Sequence, residues 1–296
     1  MSDFFIGGTV DNPLYRHLRD DFVQSACACD ARSFTNKLWE STSSYLGPDL
    51  QNNATKQFHQ CFWEMYLTAA LLEQGFPVLE RESRRCKSKG PDVQVGNLDA
   101  WFEAIAVTAG SGPDAIQELE LESNIAIDVP QDQIKLRLMA AIEEKHSKYQ
   151  TYRKNGIVKQ GEPFIIAVNA ALIPHVQVVE LTVPWIVKSL FPIGHEVLQF
   201  NLSMRNVVNQ YHDYQEYVIK KNGTQIPTTF FEEPGSEGIS AVLYSTAHVF
   251  AYRKLGADFK LIHNPQADAP IPKRFLKVGT EYWLEGDKLF WKEYSE

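Results

Sequence analysis

Gly90-Pro91-Asp92-Val93-Gln94-Val95-Gly96-Asn97-Leu98-Asp99-Ala100-Trp101-Phe102-Glu103-Ala104-Ile105-Ala106-Val107-Thr108 is the stretch on which the architecture turns. Asp92 to Val95 reads as a short extended segment, Asn97-Leu98-Asp99 as a tight connection, and Ala100 to Thr108 as a strand. Side chains alternate across a strand, so Trp101, Glu103, Ile105 and Val107 share one face and Phe102, Ala104 and Ala106 the other. Glu103 is the one acid in this otherwise apolar strand. Burying it is costly unless it is paired, hydrogen-bonded or bound to a metal. A hairpin about Asn97–Asp99 brings Asp92 and Glu103 to the same end of the sheet. Two carboxylates there make a hard-oxygen site suited to Mg²⁺ or Mn²⁺.

Upstream, Phe58, Phe62, Met65, Ala69 and Leu72 fall at helical spacing and predict a helix over Lys56–Gln74. Asn52-Asn53-Ala54-Thr55 is expected to cap it, and Gly75 to end it in the left-handed conformation. Phe76 to Glu80 reads as a further extended segment. Downstream, a long loop over 109–129 leads to a second helix, Gln131–Lys154, with Ile134, Leu138, Ala141, Ile142 and Lys145 along one face. The apolar run Pro163–Asn169 reads as a strand buried on both faces. The order helix, three extended segments, helix, strand predicts an α/β fold, a central mixed sheet flanked by helices.

Residues 1–55 read as a helical lead-in, with apolar spacing over Leu14–Val23 and Phe34–Tyr45. Residues 171–296 read as a C-terminal extension packed on the same domain as the 56–170 core. Within the extension we expect a short helix over Thr182–Leu190, a hairpin over Tyr217–Thr228 around Asn222-Gly223, a strand over Ile239–Tyr244 and a hairpin over Tyr282–Trp291.

Composition narrows the classes. With 296 residues, 44% hydrophobic and 22% charged, the chain has the balance of an ordinary globular protein. A net charge of −8 argues against a protein that coats nucleic acid generally, but not against a local basic patch. Arg81 to Lys89 holds five basic residues in nine and is the densest positive stretch. No apolar run approaches a membrane span, and the N-terminus lacks a secretory pattern, so a cytoplasmic protein without a membrane partner is expected. Cys27, Cys29, Cys61 and Cys86 lack paired zinc spacing and read as reduced, partly buried thiols. The eight histidines form no zinc motif, Gly110-Ser111-Gly112 is followed by no phosphate-loop lysine, and Ser240 and Ser245 lack a nucleophile-elbow setting. The aromatic pairs Tyr282-Trp283 and Phe290-Trp291 could stack on bases but read as core.

Glu64 in Phe62-Trp63-Glu64-Met65-Tyr66, Asp92 after Gly90-Pro91, and Glu103 in Trp101-Phe102-Glu103-Ala104-Ile105 together resemble the PD-(D/E)XK, or restriction-endonuclease-like, nuclease superfamily over roughly Lys56 to Asn169. The resemblance implies a helical Glu, an Asp at the start of the second strand, and an acid-x-Lys in the third, followed by a helix and a fourth strand. It implies a Mg²⁺- or Mn²⁺-dependent phosphodiesterase on nucleic acid, DNA favoured, with Asp92, Glu103 and Glu64 holding the metal. Arg84, Arg85, Lys87 and Lys89 would then grip the nucleic-acid backbone. Ile105 stands where the family lysine is expected, so the lysine must come from elsewhere. Lys145 on the following helix is the first candidate, then Lys87 and Lys89.

Two rivals stand beside this reading. One is a catalytically inactive nuclease fold that binds nucleic acid or a protein partner, which the loss at Ile105 favours. The other is an unrelated α/β protein in which Glu103 is a paired structural acid. A second copy of the chain is left open as a partner.

Overall fold

The chain is described from a computed structural model over residues 3–86, 90–118, 128–176, 183–251 and 254–295. Its helices are α1 (Pro13–Arg16), α2 (Ala26–Thr42), α3 (Leu50–Glu73), α4 (Gln131–Lys154) and α5 (Trp185–Lys188). Its strands are β1 (Val93–Val95), β2 (Ala100–Thr108), β3 (Phe164–Leu172), β4 (Ile193–Asn201), β5 (Asn206–Tyr214), β6 (Tyr217–Ile219), β7 (Gln225–Pro227), β8 (Ala241–Ser245), β9 (Lys260–His263), β10 (Val278–Glu285) and β11 (Lys288–Ser295). Seven strands form one mixed sheet in the order β1-β2-β3-β8-β9-β10-β11, and β4–β5 and β6–β7 form separate two-stranded ribbons.

The alternation read in Ala100–Thr108 organises the layers. Phe102 and Ala104 join the cluster beneath α2 and α3, with Phe58, Phe62 and Ala167. Trp101 and Val107 join the opposite cluster, with Ile134, Leu138 and Ile142 of α4. The sheet is thus covered on both faces. β2 pairs antiparallel with β1 and parallel with β3, and α4 makes the crossover between β2 and β3. The C-terminal strands β8 to β11 extend the same sheet rather than building their own.

Helix α3 begins six residues before the position expected from Lys56, and Asn52 to Thr55 lie inside it rather than capping it. The expected boundary survives as a kink at Gln57 (φ −127°, ψ 55°). Its cause lies close by: the Thr55 carbonyl accepts the Asp11 and Asn12 amides at 3.1 and 2.9 Å, which draws it away from the helix ladder. At the other end Gly75 has φ +77°. Gly75 N bonds Leu72 O and Phe76 N bonds Leu71 O, the paired closure that a left-handed C′ residue permits.

Phe76–Glu80 contributes an isolated bridge, Val78 to Val95, rather than a strand. The lead-in helix expected over Leu14–Val23 is broken into α1 and two short turns of other pitch. The second, expected over Phe34–Tyr45, starts earlier, at Ala26. The hairpins around Gly223 and Gly286 form as read. Of the aromatic pairs in the second hairpin, Tyr282 is buried, but Trp291 is exposed because β11 is the last strand of the sheet. Thr182 lies outside the described residues, and the helix expected there spans Trp185–Lys188. All four cysteines are free, and Cys27 is exposed rather than partly buried. Among the described residues no helix is long and apolar enough to cross a membrane.

Candidate active site

The site forms where β1 leaves β2. Their last paired residues are Val93 and Phe102, and one more step in that register sets Asp92 across from Glu103. Beyond this point the outer edge of β2 has no neighbouring strand among the described residues, so its backbone groups need other partners. Side chains supply them. Asp92 Oδ2 accepts the Ala104 amide at 2.7 Å. Gln60, from α3, accepts the Ala106 amide through Oε1 at 2.7 Å and donates through Nε2 to the Ala104 carbonyl at 3.3 Å. The Gln60 amide therefore substitutes for a stretch of missing strand. Its Nε2 also donates to Glu64 Oε1 at 2.9 Å, one helical turn along.

Glu103 faces the opposite layer and is 2% exposed. Lys145 Nζ and Lys148 Nζ donate to its Oε1 at 3.0 and 3.2 Å, and the Tyr152 hydroxyl donates to its Oε2 at 3.1 Å. All three donors lie on α4, at spacings that keep them on one helical face. Lys145 is buried and Lys148 is about half exposed. Ile105, two residues along the strand, packs into the apolar cluster of α4 instead of offering a cation.

Electrostatics follow from this arrangement. Asp92 and Glu64 keep part of their surface open to a cleft, yet protein encloses them on the other sides. Burial raises the Asp92 carboxyl well above the usual range, and the charges of Glu103 and Glu64 push it in the same direction. Burial also raises Glu64, with Glu103 adding to it and the Gln60 hydrogen bond opposing. Burial and the adjacent Glu103 raise the Tyr152 hydroxyl, which keeps it a donor. The cleft has a volume of about 150 Å³ and is lined by Glu64, Asp92, Arg81, Arg84, Cys86 and Pro91 among others.

The basic segment has a different disposition from the one expected. Arg84 is buried, and its guanidinium donates to the carbonyls of Leu79 (3.1 Å), Asp92 (2.6 Å) and Tyr45 (2.6 Å). Burial lowers it to about 10, with the charge of Asp92 opposing. With its donors committed to main chain, Arg84 is a structural anchor that ties Asp92 to the neighbouring loops, not a group aimed at a phosphate. Arg85 pairs with Glu162 at 2.5 Å and lies over the Trp101 ring at 5.3 Å. Lys87 and Lys89 lie outside the described residues.

Of the site residues read from sequence, Glu64, Asp92, Glu103 and Lys145 thus come together around one end of β2. Gln60, Lys148 and Tyr152 are additions that the structure makes to that set. Lys148 and Tyr152 continue the α4 stripe of Ile134, Leu138, Ile142 and Lys145, and Gln60 lies one turn before Glu64, so helical spacing held the signal.

Among the described residues no group of three or more His, Cys, Asp or Glu side chains is already disposed to share a metal ion. The donor chemistry still suits a hard cation. Asp92 and Glu64 hydrogen-bond neutral amides, while both lysines donate to Glu103, which leaves carboxylate oxygens of the first two facing the cleft. No protein-family model, curated protein or solved structure gives a match to this chain.

Proposed function

We propose that this chain is a metal-dependent nuclease that hydrolyses phosphodiester bonds, with DNA as the favoured substrate, and a divergent relative of the PD-(D/E)XK superfamily. The observation that carries the reading is the approach of Lys145 to Glu103, across from Asp92, at the open edge of β2. The chain order supports it as well, with the first strand reduced to the Val78 bridge: α3 with Glu64, β1 entered through Asp92, β2 with Glu103, the α4 crossover and the parallel β3 keep the order of the rest of the superfamily core.

Asp92, Glu103 and Glu64 would hold Mg²⁺ or Mn²⁺, which when bound neutralises charge on the scissile phosphate and eases ionisation of the attacking water. The protein's own groups do the rest. Lys145, fixed by Glu103, presents positive charge to the phosphate as negative charge grows on its oxygens. Lys148, half exposed, gives a second cation at the mouth of the site. Gln60 keeps the edge of β2 and Glu64 in register with each other.

The test is cleavage of single- and double-stranded DNA with Mg²⁺ or Mn²⁺, against EDTA and against Asp92→Ala and Glu103→Gln. Metal-dependent cleavage lost in both variants is the expected result. A thermal shift with Mn²⁺ that Asp92→Ala abolishes, without any cleavage, would move the protein to the inactive, nucleic-acid- or protein-binding reading that Ile105 favours. Cleavage that persists in EDTA, or no response to metal at all, would overturn the metal site.

A further inference from the structure

The β4–β5 ribbon is a two-stranded sheet of its own, with nine residues in each strand. An isolated two-stranded ribbon is marginal in water unless a face of it is covered. This ribbon has two unlike faces. On one face Val197 pairs with Tyr211, Gln199 with Asn209 and Asn201 with Asn206. The other carries Leu198, across from Gln210, and Phe200, across from Val207, with Val208 at the register shift between Gln199 and Phe200. Leu198, Phe200, Val207 and Val208 are 47–57% exposed, and Leu202 and Met204 at the tip are 84% and 71% exposed. Soluble proteins rarely leave such a contiguous patch uncovered.

Charge and area decide what covers it. The whole chain carries −8, so most apposed surfaces of two copies repel. From Val197 to Tyr211 the only Asp, Glu, Lys or Arg is Arg205, so two copies meet there with little charge cost. A nucleic-acid contact would call for basic groups that this face lacks. The exposed fractions of these six side chains correspond to roughly 600 Å² per chain, so a two-fold pairing that covered them all would bury at most about twice that, the lower bound for a specific interface. An apolar face also meets its own copy with complementary chemistry, as a two-fold contact requires.

We propose that the apolar face of the β4–β5 ribbon is a homodimer interface, covered by the same face of a second copy of this chain. The proposal stands independently of the nuclease reading. Sedimentation equilibrium of the full chain at micromolar concentration tests it. The expected mass is twice the 33.7 kDa of one chain, falling to one chain in Phe200→Asp/Val208→Asp with an unchanged far-ultraviolet circular dichroism spectrum. If that double variant fails to fold, Leu198→Gln/Val208→Gln should weaken the dimer at least tenfold. A monomeric wild type would overturn the proposal, as would a folded variant of either kind that dimerises as tightly as the wild type. A monomeric wild type that binds anionic lipid vesicles would likewise overturn it and assign the face to a membrane surface.

Discussion

The Lys145 ammonium lies 3.0 Å from Glu103 Oε1, joining the middle of α4 to a buried acid on β2. The two residues are 42 positions apart in the chain, and both are nearly inaccessible to water. Removing one partner of a buried ion pair strands the other charge, which costs more than the pair itself contributes. Lys145→Ala is therefore expected to destabilise the protein by about 3 kcal/mol. Adding Glu103→Gln to that variant should recover part of the loss. Urea unfolding of the two singles and the double measures both. A loss below about 1 kcal/mol for Lys145→Ala would mean that Lys148 and Tyr152 satisfy Glu103 without it.

Arg84 and Arg85 are adjacent in sequence but differ in role. Arg84 donates to three main-chain carbonyls, and a lysine cannot reproduce its planar fork. Arg84→Lys should cost about 2–3 kcal/mol. Arg85→Ala, at a partly exposed ion pair, should cost about 1 kcal/mol or less. Thermal or denaturant unfolding gives the comparison, and equal losses would refute the anchoring role of Arg84.

Gln60→Ala removes the side chain that serves the unpaired edge of β2. The Ala106 amide then lacks its acceptor, for an expected loss of about 1–3 kcal/mol. Hydrogen exchange should localise the change, with faster exchange at Ala106 than at Ile166 in the middle of the neighbouring strand. Unchanged protection at Ala106 would show that another group takes over.

His59 predicts the acid limb of stability. Its Nε2 bonds Asn169 Oδ1 at 2.9 Å, while its buried Nδ1 has no partner among the described residues. Burial lowers this histidine to about 4, against the hydrogen bond to Asn169. The unfolded chain binds the proton near pH 6.5 and the folded chain only near 4, so the unfolded state holds more protons between these values and stability falls as pH drops. The full loss, about 3 kcal/mol, is reached below pH 4. Denaturant titrations from pH 7 to 4 should show this slope in the wild type and a shallower one in His59→Gln. Equal slopes would remove His59 as the source.

The sequence by itself determined what local backbone geometry controls. Alternation across Ala100–Thr108 set Glu103 among apolar neighbours, helical spacing marked Gln131–Lys154, and Gly75 closed α3, because the periods of strand and helix fix which side chains share a face. The approach of Asp92 to Glu103 was also legible, since a short connection constrains the register of the strands on either side. Only the tertiary structure decided how the side chains at the site are engaged. It turned Arg84 inward, gave Gln60 the open edge of β2, brought Lys148 and Tyr152 to Glu103 beside Lys145, and built the β4–β5 ribbon, which sequence patterning leaves unassigned. Those outcomes depend on which distant backbone groups lack partners and which helix face meets which strand, and neither is encoded in the spacing of any one segment.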